Sequence, residues 1–364
     1  MTSALDELDD LAVTSGEPTP QRIFRASVAR ERFDRVARLR DVLGRPPLGL
    51  VAAYSLKTNP RAELLAMARE RGFCAECISH DEVDWAARNG FAPAQSIYNG
   101  PKPFAADPPS APLGCVFADS LEALARNLAR GAALIQGIRL RPSMINSRFG
   151  VPLEDEATLA GMLAATPLET VTGVSFHVRR EDLHGASWRD AAEDVLQRAA
   201  ALARASGRRI GAFDVGGGWT PDDFDQHFHA DMRWLVDRLV AHLPDCTQLI
   251  FEPGQALCTP TEALLAEVLE LRDRRGRREA IVDLAYSDWP SMHAYVHGYF
   301  ARCGERWERI GPGPDRIGGR TCLEYDLVEG LRLPRALAAG DRLLVTNTGS
   351  YDHSMAFTFA RGER

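Results

Sequence analysis

Four kinds of chemically useful group each follow a short apolar segment of this sequence. They are Lys57 after VAAYSL, His177 after VTGVSF, Gly216, Gly217 and Gly218 after GAFDV, and Glu252 after LIF. An amine at the mouth of an apolar pocket loses solvation, which lowers its pKa and prepares it for imine chemistry. Consecutive glycines leave backbone N–H groups open to a phosphate. A buried carboxylate can hold a proton on a ring nitrogen, and an imidazole can lie flat against a ring.

Each of these groups also has a simpler interpretation. Lys57 fits an exposed loop lysine, and the glycines fit a tight turn that needs a positive φ. Glu252 fits a salt bridge with an arginine, and a single histidine at a strand end is more often structural than catalytic. The set therefore indicates chemistry only if the fold brings its members together.

Eight short apolar segments alternate with amphipathic helical stretches between residues 25 and 260. The segments lie at 48–56, 73–78, 96–99, 114–118, 136–141, 171–178, 211–215 and 248–252, and the clearest helical stretches at 61–71, 120–130 and 189–205. This alternation predicts an α/β fold, a (β/α)8 barrel with functional groups at the carboxyl ends of its strands. A doubly wound open sheet is the alternative, although the GxGxxG expected after its first strand is absent.

The pattern changes near residue 261, where apolar runs begin to alternate with Gly/Pro turns. This change predicts a smaller C-terminal domain that is mostly β. Residues 261–273 fit either a strand or a helix. The predicted domains are an N-terminal segment at 1–24 that joins the β domain, a barrel at 25–260 and a β domain at 261–364.

Composition excludes several classes of protein. The chain has 364 residues with 43 basic and 50 acidic side chains, and the net charge of −7 argues against a nucleic-acid partner. No apolar run approaches the ~20 residues that span a bilayer, and the N-terminus lacks the features of a secretory signal. Seven scattered cysteines predict a reduced, cytoplasmic protein. Cys74 and Cys77 form a lone CxxC, for which apolar packing is favoured over redox chemistry, and no metal site is expected.

Gathered at one end of a barrel, the four groups predict a site for pyridoxal 5′-phosphate. Lys57 would supply the imine amine, the three glycines would hold the phosphate, and His177 would lie against the ring. Glu252 would protonate the pyridine nitrogen, which makes the ring a better electron sink for a carbanion at the substrate α-carbon.

Eight segments, in order along nearly the whole chain, resemble motifs of a known family. They are YSLKTNP (54–60), ECISHDEV (76–83), SRFG (147–150), SFHV (175–178), DVGGGW (214–219), EPGQAL (252–257), RTCLEYD (320–326) and GSYDHSMAFTF (349–359). The family is that of the fold-type III pyridoxal-phosphate-dependent decarboxylases, the alanine-racemase-like group that contains ornithine, arginine, diaminopimelate and carboxynorspermidine decarboxylases.

The resemblance implies an amino-acid decarboxylase that works as a head-to-tail homodimer with shared active sites. Cys322 of one subunit would return a proton to the substrate carbon at the other subunit's cofactor after carbon dioxide leaves. The implied catalytic residues are Lys57, His177, Glu252 and Cys322. The implied cofactor contacts are Lys57, Glu76, Arg139, His177, Gly216, Gly217, Gly218, Glu252, Gly254, Gln255 and Tyr351. The implied substrate contacts are Asp288, Cys322, Leu323, Glu324 and Asp326.

The chain departs from the family pattern where the phosphate is expected. Arg179 and Arg180 stand where the family usually has Gly-Ser, and Gln255 stands where it often has arginine. We therefore predict that Arg180 supplies the missing phosphate contact. Solvated arginines, or a contact with a substrate carboxylate, are the alternatives.

Two further departures concern the substrate. Leu323 follows Cys322 where ornithine and diaminopimelate enzymes usually carry an acid, and Leu284 stands where ornithine decarboxylases carry a second acid. These positions disfavour simple L-ornithine. They favour an N-substituted or carboxylated diamino acid of polyamine or siderophore biosynthesis.

Two other functions stay open at this point. An amino-acid racemase shares the barrel and the cofactor, but it needs a tyrosine base opposite Lys57, for which Tyr286 and Tyr325 are the candidates. A catalytically silent, decarboxylase-like regulator would bind partners through the same fold, but it has no need to keep the implied catalytic residues.

Overall fold

A computed structural model describes residues 18–101, 111–130, 133–167, 171–304 and 306–359. These residues form two compact units. The first, here called the barrel unit, lies within residues 32–256. The second, here called the β unit, combines residues up to 31 with residues from 257 onward.

The strands in chain order are β1 (Gln21–Phe24), β2 (Gly49–Ser55), β3 (Cys74–Cys77), β4 (Ser96–Tyr98), β5 (Leu113–Ala118), β6 (Ala133–Arg139), β7 (Val171–Ser175), β8 (Ile210–Asp214), β9 (Gln248–Phe251), β10 (Glu262–Asp273), β11 (Arg278–Val282), β12 (Gly298–Cys303), β13 (Arg306–Arg309), β14 (Gly311–Gly318), β15 (Leu327–Arg332) and β16 (Arg342–Thr346). The α-helices are α1 (Ala26–Leu43), α2 (Ala62–Glu70), α3 (His80–Arg88), α4 (Leu121–Arg130), α5 (Glu156–Ala164), α6 (Trp188–Ser206), α7 (Pro221–Asp223), α8 (His229–His242), α9 (Gly254–Cys258) and α10 (Asp352–Met355).

Strands β2 to β9 form a closed parallel barrel. Each strand pairs with the next, and β9 closes the ring on β2 with Gly49 opposite Gln248. The (β/α)8 prediction is therefore confirmed and the open-sheet alternative is wrong. All eight predicted segments coincide with barrel strands, because apolar runs of this length are buried on both faces.

The barrel interior is filled by apolar side chains from different strands. Ile97, Phe117 and Ile250 belong to one buried cluster, against which Cys74 packs. Cys77 is fully buried as well, and burial raises the pKa of the Cys74 thiol to about 11. Both members of the CxxC are thus protonated packing residues at neutral pH.

Helix α3 begins immediately after β3 and shows how the sequence fixes a strand-to-helix turn. Ser79 Oγ accepts a hydrogen bond from the backbone N–H of Glu82 at 3.2 Å. The Glu82 carboxylate reaches back to the N–H of Ile78 at 2.7 Å. These caps satisfy backbone donors at the helix start and hold the end of β3 in place.

The β unit is built around a mixed sheet. Its strand order is β13-β12-β16-β10-β11-β14-β15, and β1 pairs antiparallel with β10. Residues 262–273, which fitted either a strand or a helix, form β10. Apolar side chains such as Val268, Trp289 and Val345 make its core. The predicted, mostly β C-terminal domain is confirmed. Residues 1–17 of the predicted N-terminal segment lie outside the described residues.

Among the helices that the structure describes, none is both long and apolar enough to cross a membrane.

Candidate active site

A cavity of about 800 Å³ lies where the barrel strands end. Its wall contains residues that end or follow six strands, namely Lys57, Asn99, Arg139, His177, Asp214 and Glu252. Gly216 of the triple glycine also lines it. Five of the implied cofactor contacts, Lys57, Arg139, His177, Gly216 and Glu252, therefore share one cavity, as the carboxyl ends of barrel strands should allow.

Lys57 and Glu76 form an ion pair at the end of β2 and β3. Lys57 Nζ donates to Glu76 Oε1 at 2.6 Å and also contacts Oε2. Glu76 is fully buried, which raises its pKa to about 7, although the Lys57 charge opposes that rise. From the sequence alone, desolvation is expected to neutralise Lys57. The structure instead gives it a buried carboxylate that stabilises the ammonium form and is itself close to protonation at neutral pH.

Glu252 is a buried carboxylate held by neighbouring side chains. Its exposed fraction is 2%, and Asn99 Nδ2 donates to Oε1 at 2.6 Å. Burial alone would raise its pKa, but interactions with neighbouring side chains, the charge of Lys57 among them, outweigh burial, so its pKa lies below the ordinary value. Glu252 therefore presents a negative charge to the cavity.

His177 is oriented by the glycine loop. The backbone N–H of Gly217 donates to His177 Nδ1 at 3.1 Å, while Nδ1 lies 3.9 Å from Glu252 Oε2. An acceptor Nδ1 places the ring proton on Nε2. Burial lowers the His177 pKa, with the nearby positive charges adding to the effect and Glu252 opposing it. The imidazole is thus neutral and fixed in orientation.

The triple glycine stands where a larger residue would clash with its neighbours or strain the backbone. Gly216 and Gly218 have φ values of +65° and +91°, and a Cβ on Gly217 would lie 2.3 Å from the backbone oxygen of Glu252. The backbone N–H groups of Gly216 and Gly217 donate to Asp214 and His177. These two N–H groups therefore orient side chains of the site, and the role of the glycines at a phosphate stays a prediction.

Arg139 and the predicted SRFG segment lie together on one side of the cavity. Arg139 is 4.0 Å from the Asp119 carboxylate and 5.1 Å from the centre of the Phe149 ring. Asp119 accepts a hydrogen bond from the Gly150 N–H at 2.9 Å. Burial lowers the Arg139 pKa, but neighbouring carboxylates oppose this, so the guanidinium keeps its charge.

The arginines that depart from the family pattern follow β7. Arg179 lines the cavity, but its guanidinium pairs with Glu181 at 2.8 Å and Asp182 at 2.9 Å. The side chain of Arg180 lies outside the described part of the chain. Gly254 donates its N–H to the backbone oxygen of Glu252 at 2.8 Å, and Gln255, the next residue, is half-buried.

In the β unit, the predicted cysteine lies on an exposed turn. Cys322 and Glu324 are exposed and Leu323 is half-buried. The other six cysteines, all in the described ranges, are buried or half-buried, and none is paired. Cys322 is therefore the thiol most accessible to another molecule.

The two aspartates predicted to contact substrate are engaged inside the β unit. Asp326 is 4% exposed, and its carboxylate accepts hydrogen bonds from Tyr286 N at 2.7 Å and Thr321 N at 3.0 Å. Asp288 Oδ2 accepts from Arg320 at 3.0 Å. Both carboxylates thus hold the turn that presents Cys322.

Tyr351 stands in the other predicted segment of the β unit. It has a φ of +66°, and its ring stacks on Tyr295 with 6.1 Å between ring centres. Asp352, the next residue, is buried and accepts hydrogen bonds from the backbone and hydroxyl of Ser291 at 2.8 and 2.7 Å. The unusual backbone at Tyr351 is held by this neighbour.

Two residues of the cavity were missed by the sequence argument. Asn99 ends the predicted strand at 96–99, and Asp214 opens the DVGGGW segment. Their positions at strand ends were a usable signal, because such positions line the site of a barrel.

Comparisons with known proteins place these residues in a family context. Residues 135–259 match the family model described as "Pyridoxal-dependent decarboxylase, pyridoxal binding domain". The chain is 24% identical over 382 residues to a diaminopimelate decarboxylase of Zymomonas mobilis, covering 97% of this chain and 87% of that protein. It is 24% identical to a lysine/ornithine decarboxylase of Selenomonas ruminantium, covering 84% and 80%.

A solved structure shows the same fold. The lysine/ornithine decarboxylase of Vibrio vulnificus, complexed with putrescine, superposes with a TM-score of 0.78 at 20% identity. The match covers 100% of this chain and 98% of that one. The barrel and the mostly β unit therefore both have counterparts in that structure.

Proposed function

Because this chain belongs to the fold-type III pyridoxal-phosphate-dependent decarboxylases, we propose that it removes the α-carboxylate of an amino acid that carries a second amino group. The observation that supports this best is one cavity that joins the Lys57 amine, the His177 imidazole and the Glu252 carboxylate. These are the groups that amino-acid chemistry on a pyridine aldehyde requires.

The cavity residues fit the cofactor, pyridoxal 5′-phosphate. Lys57 supplies the amine, and Glu252 is a buried acceptor for a protonated ring nitrogen. The glycine loop leaves room that a Cβ would fill. Arg139 adds a positive charge, and Arg180 is proposed to add another at the phosphate. When bound, the cofactor supplies an electron sink for the bond that breaks at the substrate α-carbon.

Side chains of the cavity can accept or hold the protons that the reaction moves. An amine must lose a proton before it adds to a carbonyl, and Glu76 Oε1 is 2.6 Å from Lys57 Nζ with a pKa of about 7. Glu76 is therefore proposed to accept the Lys57 proton. Glu252 would hold a proton on the ring nitrogen of the bound cofactor, and the neutral His177 ring lines the cavity.

The proposed substrate is a diamino acid, including N-substituted or carboxylated forms. The relatives named above act on diaminopimelate, lysine or ornithine. Glu324 is the exposed carboxylate next to Cys322 and is proposed to meet the distal amino group, with Leu323 beside it. Asp288 and Asp326 are proposed to act through the turn they hold, because their oxygens are already engaged.

Cys322 is proposed to return the proton to the α-carbon within a head-to-tail homodimer. Replacing it with alanine is expected to lower kcat for carbon dioxide release by about a hundredfold or more, because the loss of a general acid costs that much. The matched control is Cys303→Ala, a half-buried cysteine of β12. Equal rates for the two variants would refute the assignment. Seven unpaired cysteines support a reduced, cytoplasmic setting for this thiol.

The glycine loop gives a separate prediction about cofactor binding. Gly217→Ala places a Cβ 2.3 Å from the Glu252 backbone oxygen, so the backbone at Glu252 must shift. Cofactor affinity is expected to fall by about tenfold or more, as measured by absorbance titration. Gly161→Ala is the control, because a Cβ there meets nothing within 4 Å. Unchanged affinity in Gly217→Ala would show that the cofactor lies elsewhere.

A combined spectral and product assay tests the proposed function. The purified protein mixed with pyridoxal 5′-phosphate should gain a visible absorption band that borohydride abolishes, and a diamino acid should then release carbon dioxide. Change of chirality without gas release would establish the racemase alternative. A protein with no such band under saturating cofactor would refute both enzyme functions.

A further inference from the structure

Asp214 is a buried carboxyl group that the proposed chemistry leaves without a role. It is the last residue of β8, it is fully buried, and it lines the cavity. Oδ1 accepts a hydrogen bond from the backbone N–H of Gly216 at 2.8 Å. Oδ2 is buried, and no donor in the described ranges reaches it. A charged carboxylate oxygen in this position loses its solvation and gains no hydrogen bond in return, so its ionised form is destabilised.

The surroundings of Asp214 make its ionised form unfavourable. Asp214 lies opposite Ile250 in the pairing of β8 with β9, two residues before Glu252. Burial first, and then the charge of Glu252, raise the Asp214 pKa well above its ordinary value, and Glu76 adds to the rise. The other titratable groups that interact with it are the Cys115 thiol and the Arg139 guanidinium.

The charge of Arg139 does not balance the carboxyl groups that surround it. It interacts with Asp119, Glu252, Asp214 and Glu76 together, so its single charge is shared among four carboxyl groups. Lys57 is engaged with Glu76. The end of the barrel therefore gathers more carboxyl groups than cations, and a buried cluster of this kind retains a proton on at least one member.

The hydrogen bonds indicate which of the two carboxyl groups, Glu252 or Asp214, is protonated. Glu252 Oε1 accepts from Asn99, and the positive charge of Lys57 also acts on Glu252. These contacts stabilise a negative charge on Glu252. Asp214 receives one backbone donor on Oδ1 and none on Oδ2 among the described residues. Asp214 and Glu252 share a side-chain hydrogen bond. A protonated Oδ2 supplies its donor, and the Glu252 carboxylate supplies its acceptor.

We propose that Asp214 is a positioning residue that stays protonated in the folded protein and donates from Oδ2 to the Glu252 carboxylate. With Asn99 on Oε1, this bond holds Glu252 in one orientation and keeps its charge available to the cavity. The inference rests on the proposed function only in that Glu252 is taken as the partner of the ring nitrogen.

The first test measures stability against pH and needs no cofactor chemistry. A carboxyl that is protonated in the folded state binds more protons folded than unfolded, so its contribution to stability falls as pH rises above 3.8. Asp214→Asn cannot ionise and keeps an acceptor for Gly216 and a donor for Glu252. Its thermal midpoint should therefore rise relative to the unaltered protein between pH 4 and pH 8, by an amount that grows with pH.

An ionised Asp214 would give no such gain, because the folded and unfolded chains would then bind the same number of protons at this position. A difference in thermal midpoint between Asp214→Asn and the unaltered protein that stays constant or falls between pH 5 and pH 8 would overturn the proposal. Asp194→Asn is the control, because Asp194 is a carboxyl of α6 whose Oδ2 is bonded to the exposed backbone N–H of Ser143 at 2.9 Å. Asp194→Asn should show no gain in thermal midpoint as pH rises.

The second test measures binding of pyridoxal 5′-phosphate. Asp214→Asn should keep the dissociation constant within about threefold, and Asp214→Ala, which lacks the donor, should weaken binding by about tenfold. Equal weakening by both variants would show that the charge of Asp214, not its donor, matters, and would refute the proposal. If no variant binds the cofactor, the proposed function fails, while the stability trend still tests the protonated Asp214.

Discussion

Replacing Lys57 with alanine is expected to lower the rate of carbon dioxide release by three or more orders of magnitude. The amine is the proposed nucleophile of the cavity, and the loss of a covalent catalytic group elsewhere costs on the order of 10⁶ in kcat. Because Lys57 also neutralises the buried Glu76, the variant leaves that carboxyl unpaired. Its pKa, already about 7, should rise further. The measurement is kcat with saturating cofactor and an active diamino acid.

The sequence contains its own control for this experiment. It has two lysines, Lys57 and Lys102, and Lys102 lies outside the described residues. Borohydride reduction of the protein with bound cofactor, followed by peptide mapping, should label Lys57. Lys102→Ala should keep both the label and the rate. A label on Lys102, or one that persists in Lys57→Ala, would contradict the assignment of the amine.

The barrel could be predicted from the sequence because each strand is buried on both faces. A strand as short as β4, three residues long, still appeared as the apolar segment 96–99. Residues 261–273 were ambiguous, because their mixture of leucine, glutamate and alanine suits a helix in isolation. Pairing with β1, β11 and β16 makes them β10, and such long-range pairing overrides local preference.

The contacts of the site depended on geometry that the sequence does not contain. Strand ends identified Lys57 and Glu252 as cavity residues, but the partners Asn99 and Asp214 emerged only with the barrel closed. The glycine motif predicted a phosphate loop, whereas two of its N–H groups donate to side chains. A motif specifies which backbone is unobstructed. Which atom then receives each hydrogen bond depends on neighbouring strands.

The acidic residues around Cys322 also have roles that the sequence alone does not distinguish. The sequence places Glu324 and Asp326 two residues apart and gives no reason to assign them different roles. In the structure Glu324 is exposed, whereas Asp326 is buried and accepts hydrogen bonds from its own turn. Burial separates a carboxylate that can meet a substrate from one that maintains the shape of the turn.

Glu252→Gln is expected to lower kcat by about a hundredfold or more while leaving the shape of the cavity intact. Glutamine is isosteric, and its oxygen can still accept the hydrogen bond from Asn99 that reaches Oε1 at 2.6 Å. Its amide, however, is a donor where the carboxylate was an acceptor, so the side chain can no longer hold a proton on a ring nitrogen. The loss should therefore appear in kcat, measured as carbon dioxide release.

Cofactor affinity separates this electronic effect from simple damage to the site. The dissociation constant of pyridoxal 5′-phosphate should change by less than about tenfold in Glu252→Gln, because the fit is preserved. Glu70→Gln, at an exposed position of α2, is the matched control and should change neither quantity. If Glu252→Gln kept its kcat, Glu252 would not be the ring partner. If affinity and kcat fell together, its role would be packing, and the neighbouring carboxyl of Asp214 would then have no charge to support.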